Sequence, residues 1–364
     1  MPWAWDEIVR NWLEGGIVAP TPAQIVDSFE TAERLLGRNW IDAQRFQSGV
    51  VVTGTAPTLA VVSMGQRLRV IENRPGTQEL IERVRIADRA SLAELTAIYL
   101  ACPSDIEIEI GPHVVVGSRN RQPDFRLRTP GEDWIYVEVA APNMSVAQSR
   151  AQLTLNRIGH LLHQVPIGTA VEVFLRCEPT DDEVEVIAGH VDGVMQSGIP
   201  GIYNLQNLAL IAVNQSPPGQ IVVHDYGEEL RPRLGVARGE VIAGQTTKHI
   251  AVRIPFTDDR AEAFLTKEAR QLPTTAPGLL MIDMSGTPGS FKAWEQLIRR
   301  RLQPKQHTRV GAVCLFESGL LMTSQGENWV PQSLYISNPY ARFSLPDWLR
   351  TRLSSFVWPQ SNAG

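Results

Sequence analysis

The chain has 364 residues, with 34 Lys plus Arg against 39 Asp plus Glu and a formal net charge of −5. Its 43% hydrophobic and 20% charged residues exclude a disordered chain, and no apolar run approaches the ~18 residues of a membrane span. Three scattered cysteines, Cys102, Cys177 and Cys314, exclude a disulfide framework, and the lack of a Cys-x-x-Cys pair argues against structural zinc.

The length suggests two or three domains. The opening MPWAWDEIVR is acidic and aromatic where a secretory signal is basic and then apolar, so a cytoplasmic protein is expected. Trp3, Trp5 and Trp12 read as an amphipathic anchor. Residues 1–87 read as a helical N-terminal module with a protein-contact role. Thr21-Pro22-Ala23-Gln24 is a helix start, with a capping Thr, Pro in the first turn and Gln at the capping-box position. Gly37 should end that helix. A second helix is expected from about Pro57 to Glu72, closed by Asn73-Arg74-Pro75-Gly76, and a third from Thr77.

Residues 88–178 read as a mixed α/β core. SLAELTAIYLA is helical, and DIEIEIGPHVVV alternates Ile with acid as one strand. RQPDFRLR is a second strand, TPGED a turn, and WIYVEVAAP a third, more apolar and therefore central strand. SVAQSRAQLTLNRIGHLLHQV follows as one long helix, then TAVEVFLRC as a strand. Residues 179–256 read as an inserted β-rich subdomain, with a turn at Asp181-Asp182-Glu183, a loop at 214–220 and an irregular polar stretch at 227–240. Residues 257–364 supply further helices and buried strands (DDRAEAFLTKEARQL, LLMIDM, FKAWEQLIRRRL, VGAVCLF) that complete the core.

The chemistry concentrates between Glu94 and Pro142. Asp124, in Pro123-Asp124, and Glu138, inside an apolar strand, are 14 residues apart across a Pro130-Gly131 turn. A hairpin of that length brings their carboxylates side by side. Such a pair suits a hard divalent cation with oxygen ligands. Glu94, delivered from the preceding helix, can join them. Each piece also has a plainer explanation. Ser91-Leu92-Ala93-Glu94 fits a capping box, and Pro-Asp is common turn chemistry. Glu138 is harder to dismiss, because burying an unpaired carboxylate is costly. Arg119, Arg121, Arg126 and Arg128 surround Asp124 and suit phosphate contacts. Arg299, Arg300, Arg301, Lys305 and Arg309 form a second basic cluster that reads as a solvated face. His160 and His163 read as structural. Absence of GxGxxG, P-loop and Gly-x-Ser-x-Gly patterns argues against dinucleotide enzymes, P-loop ATPases and most α/β-hydrolases.

Ala93-Glu94-Leu95, Pro123-Asp124-Phe125 and Glu138-Val139-Ala140 stand in the order of the motifs of the PD-(D/E)XK nuclease superfamily, which this quarter of the chain resembles. The resemblance implies a restriction-endonuclease-like core: a mixed central sheet flanked by helices. It also implies Mg²⁺ or Mn²⁺ held by Asp124, Glu138 and Glu94, and hydrolysis of DNA phosphodiesters, in a defence or mobile-element setting. The family's usual Lys, two residues after the Glu, is Ala140 here. Either that Lys has migrated, with Lys267, Arg150 and Arg126 as candidates and Lys267 first, or the domain is a non-catalytic DNA- or protein-interaction scaffold, or the likeness is of fold alone. The helix from Lys267 to Pro273 resembles the one that packs on the sheet in many members.

Overall fold

The structure of the protein is a computed structural model that describes residues 21–45, 55–103, 105–116, 119–215, 233–242, 245–255, 260–287, 291–323 and 326–355. Trp3, Trp5, Trp12, most of the expected loop at 214–220 and residues 227–232 lie outside the described residues.

In chain order the helices α1 (Pro22–Leu36), α2 (Arg38–Arg45), α3 (Thr55–Ile71), α4 (Thr77–Arg85) and α5 (Arg89–Ala101) come first. The strands β1 (Glu107–Ile110), β2 (Val114–Val116), β3 (Arg119–Arg121), β4 (Phe125–Arg128) and β5 (Ile135–Ala140) follow. Then come α6 (Val146–Ile158), β6 (Thr169–Leu175), α7 (Asp181–Ser197), β7 (Gly201–Leu205), β8 (Ala209–Gln215), β9 (Arg233–Ile242) and β10 (Gln245–Pro255). The last elements are α8 (Arg260–Ala269), β11 (Gly278–Asp283), α9 (Phe291–Arg301), β12 (Ala312–Thr323), β13 (Gly326–Ser337) and α10 (Asp347–Ser354).

Local chemistry accounts for many boundaries. At α1 the Thr21 hydroxyl accepts the Gln24 N–H and the Gln24 side chain accepts the Thr21 N–H at 2.9 Å, closing the capping box. Gly37 caps its C-terminus. The expected strand over 105–116 is two strands, because Gly111-Pro112 interrupts the ladder and Pro has no N–H to donate. Pro123 divides β3 from β4 for the same reason. Asp181-Asp182-Glu183 is not a turn between strands. It is the first turn of the 17-residue α7, where Thr180 and Glu183 form a capping box and acids complement the helix dipole. The long helix after Ser145 ends at Ile158 and continues as a 3-10 turn over Gly159–Gln164, in which His163 Nδ1 bonds the His160 carbonyl. Residues 233–242, expected to be irregular as far as Glu240, form β9, held along its length by β10.

Two compact units emerge: the described residues within 1–142, 259–285 and 295–364 form the first, and those within 143–258 and 286–294 the second. In the first unit a six-stranded mixed sheet has the order β1-β4-β5-β11-β12-β13. β4 is antiparallel to β1 and β5, β11 is parallel to β5 and β12, and β13 closes antiparallel on β12. The N-terminal helices are not a separate module. Ile25, Phe29, Leu68, Leu80, Leu95 and Ile98 share one core with the sheet residues Phe125, Val137, Met281 and Phe316. Burial of such side chains stabilises by roughly 1.5–3 kcal/mol each.

In the second unit a sheet of order β7-β8-β6-β10-β9 carries α6 and α7 against Val171, Val173, Ile250 and Val252. The expected core boundary near residue 178 therefore falls at Pro142. β6 pairs with β8 and β10 rather than with β5, so α6 and β6 belong to the second unit. That unit is an α/β body rather than a β-rich one. The protein is mixed α/β, and no helix among the described residues is long and apolar enough to cross a membrane.

Candidate active site

Asp124 and Glu138 meet across the β4–β5 hairpin of the first unit. The Thr129–Glu132 turn closes it, with the Glu132 N–H on the Thr129 carbonyl at 3.0 Å and Gly131 at φ 86°, a left-handed conformation that glycine adopts without strain. Pairing of Phe125 with Val137 puts Asp124 opposite Glu138 one step further along, and directly opposed residues share a face. Phe125, Leu127, Ile135 and Val137 point into the helical core. By alternation, Asp124, Arg126, Tyr136, Glu138 and Ala140 occupy the other face. Glu138 thus faces α8, which packs on β5 and β11.

Asp124 is pinned from two sides. Its Oδ2 accepts the Val139 N–H at 2.6 Å, and its carbonyl accepts the Gly111 N–H at 2.7 Å. The side chain extends the ladder just before β4 begins. Glu94 does not cap its helix. Asp88 is the N-cap, accepting the Ser91 N–H at 3.0 Å, and Glu94 is 2% exposed with Oε2 on Arg83 Nη2 at 2.8 Å. Glu138 is 8% exposed. Among the described residues, Glu138 Oε2 and Glu94 Oε1 are buried without a hydrogen-bond partner.

The electrostatics follow from that burial. Desolvation, then the charges of Asp124 and Glu268, push the Glu138 carboxyl up to about 10, while Lys267 pulls it down. Burial and Asp124 raise Glu94 to about 8 against the opposing pull of Arg83. Burial raises Asp124 to about 6 against the Val139 N–H and Arg83. Four acids therefore act on one another here: Glu94, Asp124, Glu138 and Glu268. Two cations answer them. Arg83 acts on Glu94 and Asp124, and Lys267 donates to Glu268 at 2.7 Å and feels Glu138.

Of the three candidates for a displaced Lys, Lys267 is the one that acts on the cluster. Arg150, in the second unit, is held by Glu178 at 3.5 Å and by Asp181. Arg126 donates to Glu109 at 2.8 Å and to the Tyr136 hydroxyl at 3.2 Å. The arginine cluster around Asp124 is mostly committed in this way. Arg128 bonds Glu107 at 2.6 Å, and both guanidinium groups lie 4.3 Å from the Trp134 ring centroid. Arg121 lies on the separate β2–β3 ribbon, and the Arg119 side chain is outside the described residues.

Two members of the cluster, Glu268 and Arg83, escape sequence reasoning. Glu268 has a legible signal: it lies with Ala261, Leu265 and Ala269 on the buried side of α8, an acid inside an apolar stripe. Arg83 has none, because its partner Glu94 is set by the packing of α4 on α5.

The donor set is all oxygen, which fits a hard divalent cation, and the unpartnered Glu138 and Glu94 oxygens fit the same role. Among the described residues there is no group of three or more His, Cys, Asp or Glu that could hold a metal ion. No protein-family model matches the chain, and no curated protein matches its sequence.

Proposed function

We propose that the first unit is a metal-dependent nuclease domain acting on DNA phosphodiesters. One observation carries this: the half-buried Asp124 and the buried Glu138 carboxyl face each other across a hairpin, with a buried Glu138 oxygen left without a hydrogen-bond partner among the described residues and a lysine in electrostatic reach. The succession of α5, an antiparallel β1-β4-β5 sheet, α8 and a parallel β11 supports a restriction-endonuclease-like core.

Asp124 and Glu138 would hold Mg²⁺ or Mn²⁺, with Glu94 completing the shell directly or through water. The bound ion would polarise the phosphate and lower the pKa of a water. Asp124 is preorganised for its part by the Val139 N–H. Glu138 is the strongest proton holder of the three, and it would have to release that proton to serve as a ligand. Lys267, anchored by Glu268, would supply the positive charge that Ala140 lacks. Ala140 is itself buried on the same face as Glu138.

The test is cleavage of supercoiled and linear DNA in Mg²⁺ and Mn²⁺. Wild type should cut. Asp124→Ala, Glu138→Gln and Lys267→Met should each lose at least ~100-fold in rate, on the order expected when a group acting in the transition state is removed. Binding of uncut DNA should change little in Lys267→Met. A second reading, a nuclease-like scaffold without chemistry, is favoured by the lack of a converged three-donor cluster among the described residues. No cleavage by wild type, with none gained by Ala140→Lys, would establish it.

A further inference from the structure

Arg83 reaches the carboxylate cluster from α4, and the ion pair it forms there is half made. Its Nη2 donates to Glu94 Oε2 at 2.8 Å. Arg83 Nε and Glu94 Oε1 are buried, with no hydrogen-bond partner among the described residues. A closed arginine–carboxylate pair engages both oxygens with two parallel donors, and a buried polar atom left outside it costs stability. The partners also differ in access to water. The Glu94 side chain is 2% exposed and that of Arg83 40%. When the bond opens, the guanidinium can leave and the carboxylate cannot.

The α4–α5 helix hairpin fixes the pair. Residues 86–88 join the two helices, with Ala87 at φ 55° and its N–H on the Val84 carbonyl at 2.9 Å. Leu80 and Val84 from one helix and Leu95 and Ile98 from the other are buried in one core, which sets Arg83 beside Glu94. The charge of Arg83 acts on Asp124 as well as on Glu94. Yet among the described residues no three acids stand together as a group that could hold a metal ion.

Resting on the reading that these acids take a divalent cation, we infer that Arg83 is the resident counter-ion of the site and competes with that cation, its bond holding Glu94 away from Asp124 and Glu138 until the ion displaces it. Arg83 supplies one positive charge where Mg²⁺ supplies two, and it has a route to solvent that Glu94 lacks. The exchange therefore makes occupancy of the site depend on ion concentration, with Arg83 setting the threshold.

The experiment is isothermal titration calorimetry of the full chain with Mg²⁺ alone, at about pH 8, because carboxylate ligands must shed their protons to bind an ion. Arg83→Met should bind Mg²⁺ at least ~10-fold more tightly than wild type, since a positive charge has been removed from beside the ion. Arg83→Lys keeps the charge and loses the planar fork, so its affinity should fall between the two. In a Glu94→Ala background the gain from Arg83→Met should shrink to under ~3-fold, because the bond being released is no longer there. An arginine that only supports the fold would lower stability and leave Mg²⁺ affinity alone. Should Arg83→Met not fold, wild type carries the test: Arg83 should react faster with an arginine-directed dicarbonyl reagent when Mg²⁺ is present, read by mass spectrometry.

Unchanged or weaker Mg²⁺ affinity in Arg83→Met overturns the inference. So does the full gain in the Glu94→Ala background, an Arg83 whose reactivity Mg²⁺ leaves unchanged or lowers, or no Mg²⁺ binding by either protein at millimolar ion. Cleavage plays no part in these readings. Tighter Mg²⁺ binding by Arg83→Met, with no DNA cut by wild type, sinks the nuclease and leaves the counter-ion. Cleavage by wild type, with Mg²⁺ affinity unchanged in Arg83→Met, does the reverse.

Discussion

Each unit buries one glutamate in the middle of a sheet, and the two are treated differently. Glu172 on β6 is 1% exposed, and Arg253 from the adjacent parallel β10 reaches its Oε1 at 2.9 Å. Glu138 on β5 is 8% exposed, faces Asp124 and Glu268, and has a buried oxygen without a partner among the described residues. The first is a closed ion pair, in which the guanidinium answers the cost of taking a carboxylate out of water. The second is left with like charges and one lysine that is 73% exposed. A carboxylate kept for structure is neutralised by its own sheet. One left without a partner must hold its proton well above its ordinary range, which favours the apo fold less and a bound cation more.

The largest effect that would separate the two is removal of the neutralising arginine. Arg253→Met leaves Glu172 buried and unpaired, and should lower unfolding stability by about 3 kcal/mol, measured as a shift of the urea midpoint. If the loss is under about 0.5 kcal/mol, Glu172 is no better compensated than Glu138.

Next, Glu138→Gln should stabilise the metal-free protein by about 2 kcal/mol at pH 7, since it removes a group that must hold its proton far above its ordinary range. The sign follows from proton counts. Glu138, Glu94 and Asp124 all have folded values above their ordinary ones, at about 10, 8 and 6. Between about pH 4 and 10 the folded state therefore binds more protons than the unfolded state. Stability should fall as pH rises across that window, by up to roughly 1.4 kcal/mol per pH unit for each group protonated only when folded. Urea unfolding at about pH 5, 7 and 9 reads the slope, which Glu138→Gln should flatten. A stability that rises across that series would contradict it.

A smaller effect comes from the ion itself. Mg²⁺ at about ten times its dissociation constant should add about 1.4 kcal/mol, visible as a rise in Tm that Asp124→Ala abolishes. Absence of any shift at millimolar Mg²⁺ or Mn²⁺ would place Glu138 among unoccupied structural acids. Smallest of all is Lys267→Met. Its ammonium is mostly in water, so the pair with Glu268 should contribute less than about 1 kcal/mol. A larger loss in thermal unfolding would mean that Lys267 holds α8 in place rather than serving the site.

How much of this can be read along the chain depends on distance. The capping box at Thr21 and Gln24, and the hairpin that sets Asp124 against Glu138, are local: the signals lie within three residues in one case and around a Pro-Gly turn in the other. Glu94 can be named because its helix precedes the hairpin in the order of the motifs. The Arg126 and Arg128 pairings cannot, because Glu109 and Glu107 become their partners only through the antiparallel register of β1 on β4.

Sequence by itself determined the types of the elements that carry the acids, the hairpin, and the clustering of acids around it, because side-chain period and turn chemistry act over a few residues. Tertiary structure alone decided which apolar strand lies beside β5. TAVEVFL and GLLMID are equally buried along their length, yet Glu138 pairs with Leu280, far beyond β6 in the chain, while β6 turns to β10. A continuous apolar run specifies burial on both faces and not the identity of a neighbour. Only that long-range pairing brings α8 over Glu138, and with it Glu268 and Lys267, so the charge of the site is a property of the assembled sheet.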